Sequence, residues 1–348
     1  MKALVKYESG PQKVKIMERQ VPNPAPGQVR IKVSYSGICG TDIHILKDDG
    51  GYKTNPPVTL GHEFSGIVDQ VGEGVDPCLV GKRVVSETYY ITCGHCLYCQ
   101  TGRKNLCPDR KSIGSGVDGA MAEYIVVPAK NLHIIPDNVG LREAAMTEPL
   151  ACCAQAVLEK GNITAGDRIL ITGPGAIGLM CLQLAVLCGG RVTVVGRKCD
   201  EERLQLAKEL GADFVAYSDD ENAEEKIKAT FAEFGADVVF ECSGAPSAIN
   251  MALNIIRKGG RYVQVGLTGQ ATTLDMNLIT LKELDVFGTF AQKTVWWKRS
   301  LDLVEKGKIQ LRPLISKIVP LERWQEAFEL YSKGVGLKYL LSLSEEVN

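Results

Sequence analysis

Apolar residues in the first part of the chain recur in short runs rich in valine and isoleucine. Two clear examples are Val29–Ser34 and Phe64–Val71, and turns rich in proline and glycine separate such runs, as at Pro22–Gly27 and Gly72–Gly74. Short β-branched runs between such turns are typical of strands. Residues 1 to about 150 are therefore predicted to form a compact, barrel-like, β-rich domain.

From Ala165 onward the pattern changes, and apolar runs alternate with helical segments such as Glu201–Leu210 and Ala223–Phe234. The predicted strands of this part are Arg168–Thr172, Val192–Val195, Asp213–Tyr217, Asp237–Cys242, Arg261–Val265 and Leu284–Thr289. Strands that alternate with helices form a parallel sheet covered on both faces. The predicted fold class is therefore α/β, with the barrel-like domain joined to a doubly wound, six-stranded parallel Rossmann domain.

The alternation stops after Thr289. Two later segments, Trp296–Lys306 and Leu321–Lys333, have the pattern of helices and are predicted to pack back on the first domain. We therefore expect the first domain to comprise residues 1–151 and 290–348, and the second to comprise residues 152–289.

The composition excludes several classes of protein. The 348 residues include 40 Lys and Arg against 41 Asp and Glu. A net charge of −1 gives no excess of positive charge for binding nucleic acid or an anionic membrane. Met1–Gly10 lacks the apolar core of a secretory signal, so a cytoplasmic location is predicted. The uncharged run Ile169–Gly190 is long enough for a membrane span, but its five glycines favour a strand, a turn and a buried helix.

A dinucleotide-binding motif follows the first strand of the second domain. Gly173-Pro-Gly-Ala-Ile-Gly178 has the G-x-G-x-x-G spacing in the required context of strand, turn and helix. Gly173 permits the tight turn, Gly175 lets the backbone approach a pyrophosphate, and Gly178 allows close helix packing. With Ala176 and Ile177 in the first helical turn, these residues are the predicted phosphate site. A glycine-rich turn in a core without a ligand is the alternative.

The end of the second strand bears on the choice of cofactor. NAD-binding folds usually carry an acidic residue there for the ribose hydroxyls, whereas this chain has Gly196-Arg197-Lys198. The two cations predict a preference for NADP(H) over NAD(H). They could instead be solvated surface charges, and the acids of Asp200–Glu202 lie close enough in sequence to offer an acceptor or to repel a 2′-phosphate.

Four cysteines form the most specific local signal. Cys93, Cys96, Cys99 and Cys107 follow the pattern C-x2-C-x2-C-x7-C, which lets four thiolates surround one Zn²⁺. Four sulfur ligands leave no open position, so a structural zinc is predicted. An iron–sulfur cluster is the alternative, and disulfides fit the short spacings less well.

A second set of residues predicts a reactive metal. Cys39-Gly-Thr-Asp-Ile-His44 is followed by Gly61-His62-Glu63 and later by Glu148-Pro149. Cys39, His62 and one carboxylate would give Zn²⁺ three protein ligands and an open position, which is the pattern of catalytic zinc. Taken singly, each residue could equally be structural.

In these motifs, and in their order along nearly the whole chain, the sequence resembles the zinc-dependent medium-chain dehydrogenase/reductase family, in its sorbitol and polyol dehydrogenase branch. The resemblance implies that residues 1–151 and 290–348 are a catalytic zinc domain and that 152–289 bind the dinucleotide. It implies an enzyme that interconverts a secondary alcohol and a ketone by hydride transfer to or from a nicotinamide cofactor.

The resemblance also implies roles for individual residues. Cys39 and His62 bind the catalytic zinc, and Glu63 and Glu148 are the two acids that bind it directly or through its water. Thr41 takes the proton from the substrate hydroxyl, and His44 relays it towards solvent. Asp42 orients the His62 ring.

Other assignments stay open at this stage. Ile91-Thr-Cys-Gly-His-Cys96 also resembles threonine 3-dehydrogenases of the same family, but Tyr90 and Glu148-Pro149 depart from their usual His and Asp-Pro. A zinc-stabilised nucleotide-binding protein without turnover is an alternative from another class. The expected partners are a small alcohol or ketone and further copies of the chain, as a homodimer or homotetramer, with no nucleic acid or membrane. Candidates for lining the substrate pocket are Tyr52, Phe290, Trp296 and Trp297.

Overall fold

The structure is a computed structural model that describes residues 1–49, 51, 53–231 and 233–344. Its strands are β1 (Lys2–Lys6), β2 (Val14–Glu18), β3 (Gln28–Gly37), β4 (Val58–Thr59), β5 (Glu63–Val71), β6 (Arg83–Ser86), β7 (Tyr89–Ile91), β8 (Lys111–Ser112), β9 (Tyr124–Pro128), β10 (Leu132–Ile134), β11 (Arg168–Thr172), β12 (Arg191–Gly196), β13 (Phe214–Tyr217), β14 (Ala236–Glu241), β15 (Ile256–Gln264), β16 (Asp285–Gly288), β17 (Ile315–Pro320) and β18 (Lys338–Ser342).

Its α-helices are α1 (Gly40–Lys47), α2 (Leu97–Gln100), α3 (Leu141–Ala144), α4 (Thr147–Ala154), α5 (Ala176–Leu187), α6 (Glu201–Glu209), α7 (Ala223–Ala229), α8 (Pro246–Ile255), α9 (Asn277–Leu281), α10 (Thr294–Glu305) and α11 (Trp324–Ser332). A π-helical stretch, Gln155–Gly161, continues α4. Across the described ranges, no helix is both long enough and apolar enough to span a bilayer.

The chain divides into two compact units. The first comprises Met1–Pro149, Gln292–Lys306 and the chain from Leu311 onward, and the second comprises Leu150–Ala291 with Gly307–Gln310. These bounds lie two residues from the expected ends of the domains, and the short return at Gly307–Gln310 was not expected. The helices α10 and α11, expected from the pattern beyond Thr289, both fall within the first unit.

The first unit is rich in strands, as predicted. Its longest strand, β3, pairs with β5, β9 and β18, and the larger sheet runs in the order β10-β6-β5-β3-β18-β17. Val29, Ile31 and Val33 alternate along β3 and are fully buried, because successive side chains of a strand point to opposite faces. The end of β3, which leads through Cys39 into α1, pairs with the start of β5, so that the sheet brings together the two segments that carry the reactive residues.

The second unit confirms the predicted doubly wound sheet. Within the described residues its six strands are all parallel, in the order β13-β12-β11-β14-β15-β16. In this topology the order reverses beside β11, and ligands bind outside the carboxyl ends of the strands at that point. The helix that follows β11 is α5, whose residues Gly178–Ala185 are buried. This burial explains why the sequence of α5 is apolar on every face.

Most of the predicted strands of this unit agree with the observed ones to within a residue at each end, but one begins several residues earlier than predicted. The pattern predicts Arg261–Val265, whereas β15 begins at Ile256. A register shift in its pairing with β14, between Ala236 and Val238, lets the chain pass Gly259 and Gly260 without ending the strand. Paired glycines are usually read as a turn, but here they lie within an irregular strand.

Candidate functional site

The residues predicted to bind a reactive metal come together in the first unit. Cys39 immediately precedes α1, and its backbone N–H donates to Asp42 Oδ2 at 2.9 Å, which fixes the first turn of the helix. His62 and Glu63 lie at the start of β5. The Cys39 Sγ, a ring nitrogen of His62 and a carboxylate oxygen of Glu63 all lie within 4.8 Å of one another. We call these three residues the close set.

The close set fits Zn²⁺ in its chemistry and its spacing. A thiolate, an imidazole and a carboxylate are ligands of catalytic zinc, with bond lengths of about 2.0–2.3 Å. Asp42 gives independent support, because its buried Oδ1 has no hydrogen-bond donor among the described residues and lies 4.0 Å from His62 Nδ1. A histidine that binds zinc through one nitrogen usually gives its other N–H to such a carboxylate.

The electrostatics of the close set favour a cation. Burial lowers the pKa of His62, but the hydrogen bond to the Cys39 sulfur and the charges of Cys39 and Asp42 together raise it well above the usual range. Burial likewise raises the pKa of the Asp42 carboxyl. The negative groups that raise the pKa of His62 would also stabilise a bound metal ion.

The two candidate acids are held differently. Glu63 is buried, and Lys338 Nζ lies 2.6 Å from its Oε1 and 2.5 Å from its Oε2. Burial lowers the pKa of Lys338, but the charges of Glu63 and Cys39 outweigh this effect and raise it. Glu148, in the first turn of α4, accepts a hydrogen bond from Gln292 Nε2 at 3.1 Å. Among the described residues, the close set includes Glu63 and not Glu148.

Thr41 and His44 lie on α1 beside the close set. Thr41 Oγ1 is 3.8 Å from Cys39 Sγ. His44 lies three positions further along the helix, so that its side chain is on the same face as that of Thr41. Its Nδ1 is 2.5 Å from Asp49 Oδ1, and about a third of its side chain is exposed (34%).

The four cysteines of the other motif also come together. The sulfur atoms of Cys93, Cys96, Cys99 and Cys107 lie within 4.8 Å of one another, and none of the four is in a disulfide. The Cys93 sulfur is 3.7 Å from that of Cys107 and 3.9 Å from that of Cys99. Backbone hydrogen bonds from Cys96 and His95 lower the pKa of the Cys93 thiol to about 6. We call these four residues the cysteine lobe, and their donor set fits a closed tetrahedral zinc.

The glycine motif lies in the second unit, between β11 and α5. Gly173 has φ of +86°, and a Cβ at this position would lie 2.8 Å from that of Ser243. A Cβ at Gly178 would lie 2.0 Å from the carbonyl oxygen of Gly173, whereas a Cβ at Gly175 would meet no atom within 4 Å. Two of the glycines are therefore required by packing, and the third leaves open space above the backbone. Ala176 and Ile177 begin α5.

The turn after β12 places both cations near acids. Arg197 donates its backbone N–H to Asp200 Oδ2 at 2.9 Å, and its Nε lies 3.8 Å from the same oxygen. Lys198 Nζ is 3.0 Å from Asp220 Oδ1. The two side chains are nonetheless 67% and 63% exposed, so both can reorient towards a ligand. A Cβ at Gly196 would lie 2.8 Å from Pro174 Cγ, which gives this glycine a packing role as well.

Two family models match the chain. Residues 25–137 match the alcohol dehydrogenase GroES-like domain, and residues 176–306 match the zinc-binding dehydrogenase domain. A sorbitol dehydrogenase of Halalkalibacterium halodurans is 41% identical, with 98% of this chain and 99% of the relative covered. The chain belongs to the zinc-dependent medium-chain dehydrogenase family, in its polyol branch.

Other members of the family give a similar result. A D-arabitol-phosphate dehydrogenase of Enterococcus avium is 40% identical (99% and 98% covered), and an L-threonine 3-dehydrogenase of Stenotrophomonas maltophilia is 37% identical (98% and 99%). A zinc-binding dehydrogenase structure from Sinorhizobium meliloti, bound to NADP, has 34% identity and a TM-score of 0.89 (98% of both chains). An alcohol dehydrogenase structure from Escherichia coli, complexed with NADH, has 32% identity and a TM-score of 0.89 (98% and 99%).

Sequence reasoning missed several residues, in each unit, that lie beside the candidate residues. Lys338, Gln292 and Asp49 hold candidate site residues but belong to no local motif. Glu241, fully buried at the end of β14, accepts hydrogen bonds from the hydroxyl of Thr172, the N–H groups of Ser243 and Gly244, and the amide of Gln264. The one feature of the sequence that could have pointed to Glu241 is an acidic residue at the end of an apolar strand.

The aromatic candidates for the pocket divide into different environments. Trp296 and Trp297 are buried in α10, and Trp297 stacks on His133 with ring centroids 5.7 Å apart. Phe290 is 47% exposed, and Tyr52 lies outside the described residues.

Proposed function

We propose that this dehydrogenase oxidises a secondary alcohol group of a polyol or sugar alcohol to a ketone, and catalyses the reverse reduction. The observation that carries the proposal is the close set, in which Cys39, His62 and Glu63 bring three different ligand atoms within 4.8 Å of one another. Three protein ligands leave a fourth zinc position for a substrate oxygen. When bound, Zn²⁺ supplies Lewis acidity towards that oxygen and the nicotinamide supplies the hydride acceptor.

We assign Glu63 as the direct metal ligand and Glu148 as the residue that acts through water. The position of Glu63 in the close set supports this assignment. Glu148 lies nearby and accepts a hydrogen bond from the amide of Gln292. Asp42 would orient His62. The cysteine lobe would hold the second, structural zinc, and residues 1–151 with 290–348 would form the catalytic zinc domain. Residues 152–289 would bind the dinucleotide through the glycine motif.

The protein's own part in the reaction is to remove the hydroxyl proton. In our proposal Thr41 accepts this proton, and His44 relays it towards solvent. The 3.8 Å separation of Thr41 Oγ1 and Cys39 Sγ supports the first role, and the partial exposure of His44 supports the second. Asp49 Oδ1, 2.5 Å from His44 Nδ1, would orient the imidazole ring for this transfer.

Polyols are favoured over amino alcohols as substrates. The relatives with the higher identities act on sorbitol and D-arabitol phosphate by name, and Glu148 fits the polyol pattern. The threonine 3-dehydrogenase alternative is supported by the resemblance around Ile91–Cys96 and by the 37% identity of a relative with that name.

A substrate panel tests this choice. Free polyols, polyol phosphates, threonine and simple secondary alcohols are each assayed by absorbance of the reduced nicotinamide. We expect kcat/KM for the best polyol or polyol phosphate to exceed that for threonine at least tenfold, which corresponds to about 1.4 kcal/mol. A higher kcat/KM for threonine would replace the polyol proposal with the amino-alcohol one, and no turnover on any alcohol would remove both.

For the cofactor we propose a preference for NADP(H). Gly196 offers no carboxylate to the ribose, and the exposed Arg197 and Lys198 can each form a charge-assisted bond with a 2′-phosphate. Such a bond is worth about 1.5–3 kcal/mol, which predicts a roughly 10- to 100-fold preference. Asp200 and Asp220 compete for the same cations and reduce the expected gain.

The ratio of kcat/KM for NADP(H) to that for NAD(H) measures this preference. Arg197→Ala should lower the ratio, whereas Arg191→Ala removes an exposed cation at the other end of β12 and should leave it unchanged. A wild-type preference for NAD(H), or an unchanged ratio in Arg197→Ala, would show that the turn does not select a 2′-phosphate. A cytoplasmic homodimer or homotetramer remains our expectation for the assembly.

A further inference from the structure

Gln292 is a fully buried polar residue that lies just before α10. Its side-chain Nε2 donates to Glu148 Oε1 at 3.1 Å, although the two residues are 144 positions apart in the sequence. A buried amide is costly unless it is hydrogen-bonded, so this contact sets where both side chains can lie. The fold therefore brings a neutral donor from a distant segment to one of the two candidate acids.

The backbone of Gln292 is also held in place. Its N–H donates to Tyr89 Oη at 3.0 Å, and the Tyr89 hydroxyl in turn donates to the Gln292 carbonyl oxygen. Tyr89 itself is buried on β7, where Asn131 Nδ2 donates to its carbonyl oxygen at 2.6 Å. One tyrosine thus satisfies both backbone groups of Gln292 and lies 3.5 Å from its Oε1, while the Nε2 of the same side chain reaches Glu148.

The residue before Gln292 is strained. Ala291 has φ of +52°, a left-handed conformation that a residue with a Cβ rarely adopts. Such strain persists only where the surrounding contacts over-determine the backbone, and it concentrates at functional sites. The hydrogen bonds between Tyr89 and the Gln292 backbone, and from the Gln292 side chain to Glu148, are contacts of that kind. They fix the residue that follows Ala291.

The contrast with Glu63 shows what Gln292 contributes. The oxygens of Glu63 are held by the cation of Lys338, which offsets the charge of that carboxylate. Gln292 gives Glu148 Oε1 an uncharged donor, whose hydrogen bond is directional. Gln292 therefore contributes direction to one carboxylate oxygen, whereas Lys338 contributes charge.

We infer that Gln292 is a positioning residue, which orients the carboxylate of Glu148 towards the metal site and is itself held by Tyr89. This inference rests on the proposed function, because it assumes that Glu148 serves the centre formed by Cys39, His62 and Glu63. It predicts that loss of the Gln292 amide weakens the metal site through Glu148 and not through the fold as a whole.

The test compares Gln292→Met with Gln183→Met. Both substitutions replace a buried glutamine by an apolar side chain of similar length, and Gln183 instead donates to the carbonyl oxygen of Gln310. In zinc-loaded protein, competition with a chelator measures the affinity of the more weakly held zinc. We expect Gln292→Met to lower this affinity roughly 10- to 100-fold, which is the usual effect of losing a hydrogen-bond partner of a metal-site residue. Gln183→Met should leave the affinity unchanged.

Two further measurements separate positioning from a structural effect. In Co²⁺-substituted protein, Gln292→Met should alter the visible absorption spectrum, and Tyr89→Phe should alter it in the same direction but less. In a Glu148→Gln background, Gln292→Met should cause no further loss of metal affinity, because the residue acts through Glu148.

Equal losses in the two backgrounds, or a wild-type cobalt spectrum in Gln292→Met, would overturn the inference. Tyr89→Phe keeps the test available if Gln292→Met does not fold. Failure of the proposed function is recognised separately, since it would appear as absent turnover in wild-type protein. The chelator competition and the cobalt spectrum do not depend on turnover.

Discussion

The cysteine lobe and the close set differ in how the chain builds them. Every sulfur of the lobe comes from one segment whose ends, Cys93 and Cys107, are 14 positions apart, and local backbone N–H groups donate to the sulfurs. The close set draws on the residue before α1 and on the start of β5, and its supporting contact comes from Lys338, far along the chain. The neighbouring Glu148 is likewise held by the distant Gln292. The cysteine lobe is assembled from one local segment, whereas the close set exists only where the first unit is folded.

Their environments differ in the same way. Three of the four lobe cysteines are partly exposed, and Cys107 alone among them is buried. In the close set, Cys39 and His62 are also partly exposed, but Glu63 and its neighbours Asp42 and Lys338 are buried charged groups, which the lobe lacks. Burying charged groups is costly unless they are paired or bind a metal, so a fold keeps such a cluster where chemistry uses it. The comparison suggests that the lobe serves stability and the close set serves turnover.

The largest expected effect separates chemistry from cofactor binding. Cys39→Ser and His62→Ala should each abolish alcohol oxidation, because each removes a ligand of the proposed catalytic zinc. The affinity for the dinucleotide should stay close to that of the wild type, since the glycine motif belongs to the second unit. Steady-state rates and the dissociation constant of the reduced cofactor, read from its fluorescence, provide the two measurements.

Cys78→Ser is the matched control for Cys39→Ser, because Cys78 is an exposed cysteine outside both clusters. It should leave the rate and the affinity unchanged. If the affinity for the dinucleotide fell in step with activity in Cys39→Ser, the assignment of the two functions to separate domains would be wrong.

The next effect concerns stability. Cys107→Ser should lower the free energy of unfolding of the first unit by on the order of 4 kcal/mol, because the binding energy of a structural zinc is folding energy. A loss of that size lowers the thermal midpoint by roughly 8–16 °C. Calorimetry measures the midpoint, and metal analysis should fall from two zinc ions per chain to one. Wild-type protein that holds a single zinc, with the lobe empty, would contradict the two-site proposal.

The same contrast explains what the sequence could predict. The cysteine spacing and the motifs around Cys39 and His62 are local, so the order of residues alone is enough to mark these residues as candidate ligands. The strand Arg168–Thr172 and its glycine turn were predicted with their observed bounds, because a buried parallel strand followed by a glycine turn leaves a strong local signal.

Contacts between distant segments left no such signal. Lys338 is 275 positions from Glu63, and nothing in the alternation of apolar residues along β18 marks one lysine as buried. The sequence shows only that Gly196 stands where an acidic residue is usual. The structure shows that a side chain at this position would clash with Pro174. In both cases the reason is a partner that only the tertiary structure supplies.

The smallest expected effect is that of the proton relay. His44→Ala should lower kcat roughly 10- to 100-fold near neutral pH, because water must then replace the imidazole. The deficit should shrink as pH rises, since hydroxide in solvent can take the proton without the relay. The ratio of wild-type to variant kcat, measured from pH 6 to pH 10, tests this sign. Asp49→Asn keeps the imidazole but removes its charged neighbour, so its deficit should be smaller and follow the same trend. A ratio that stays constant with pH would mean that His44 supports the structure of α1 and does not carry the proton.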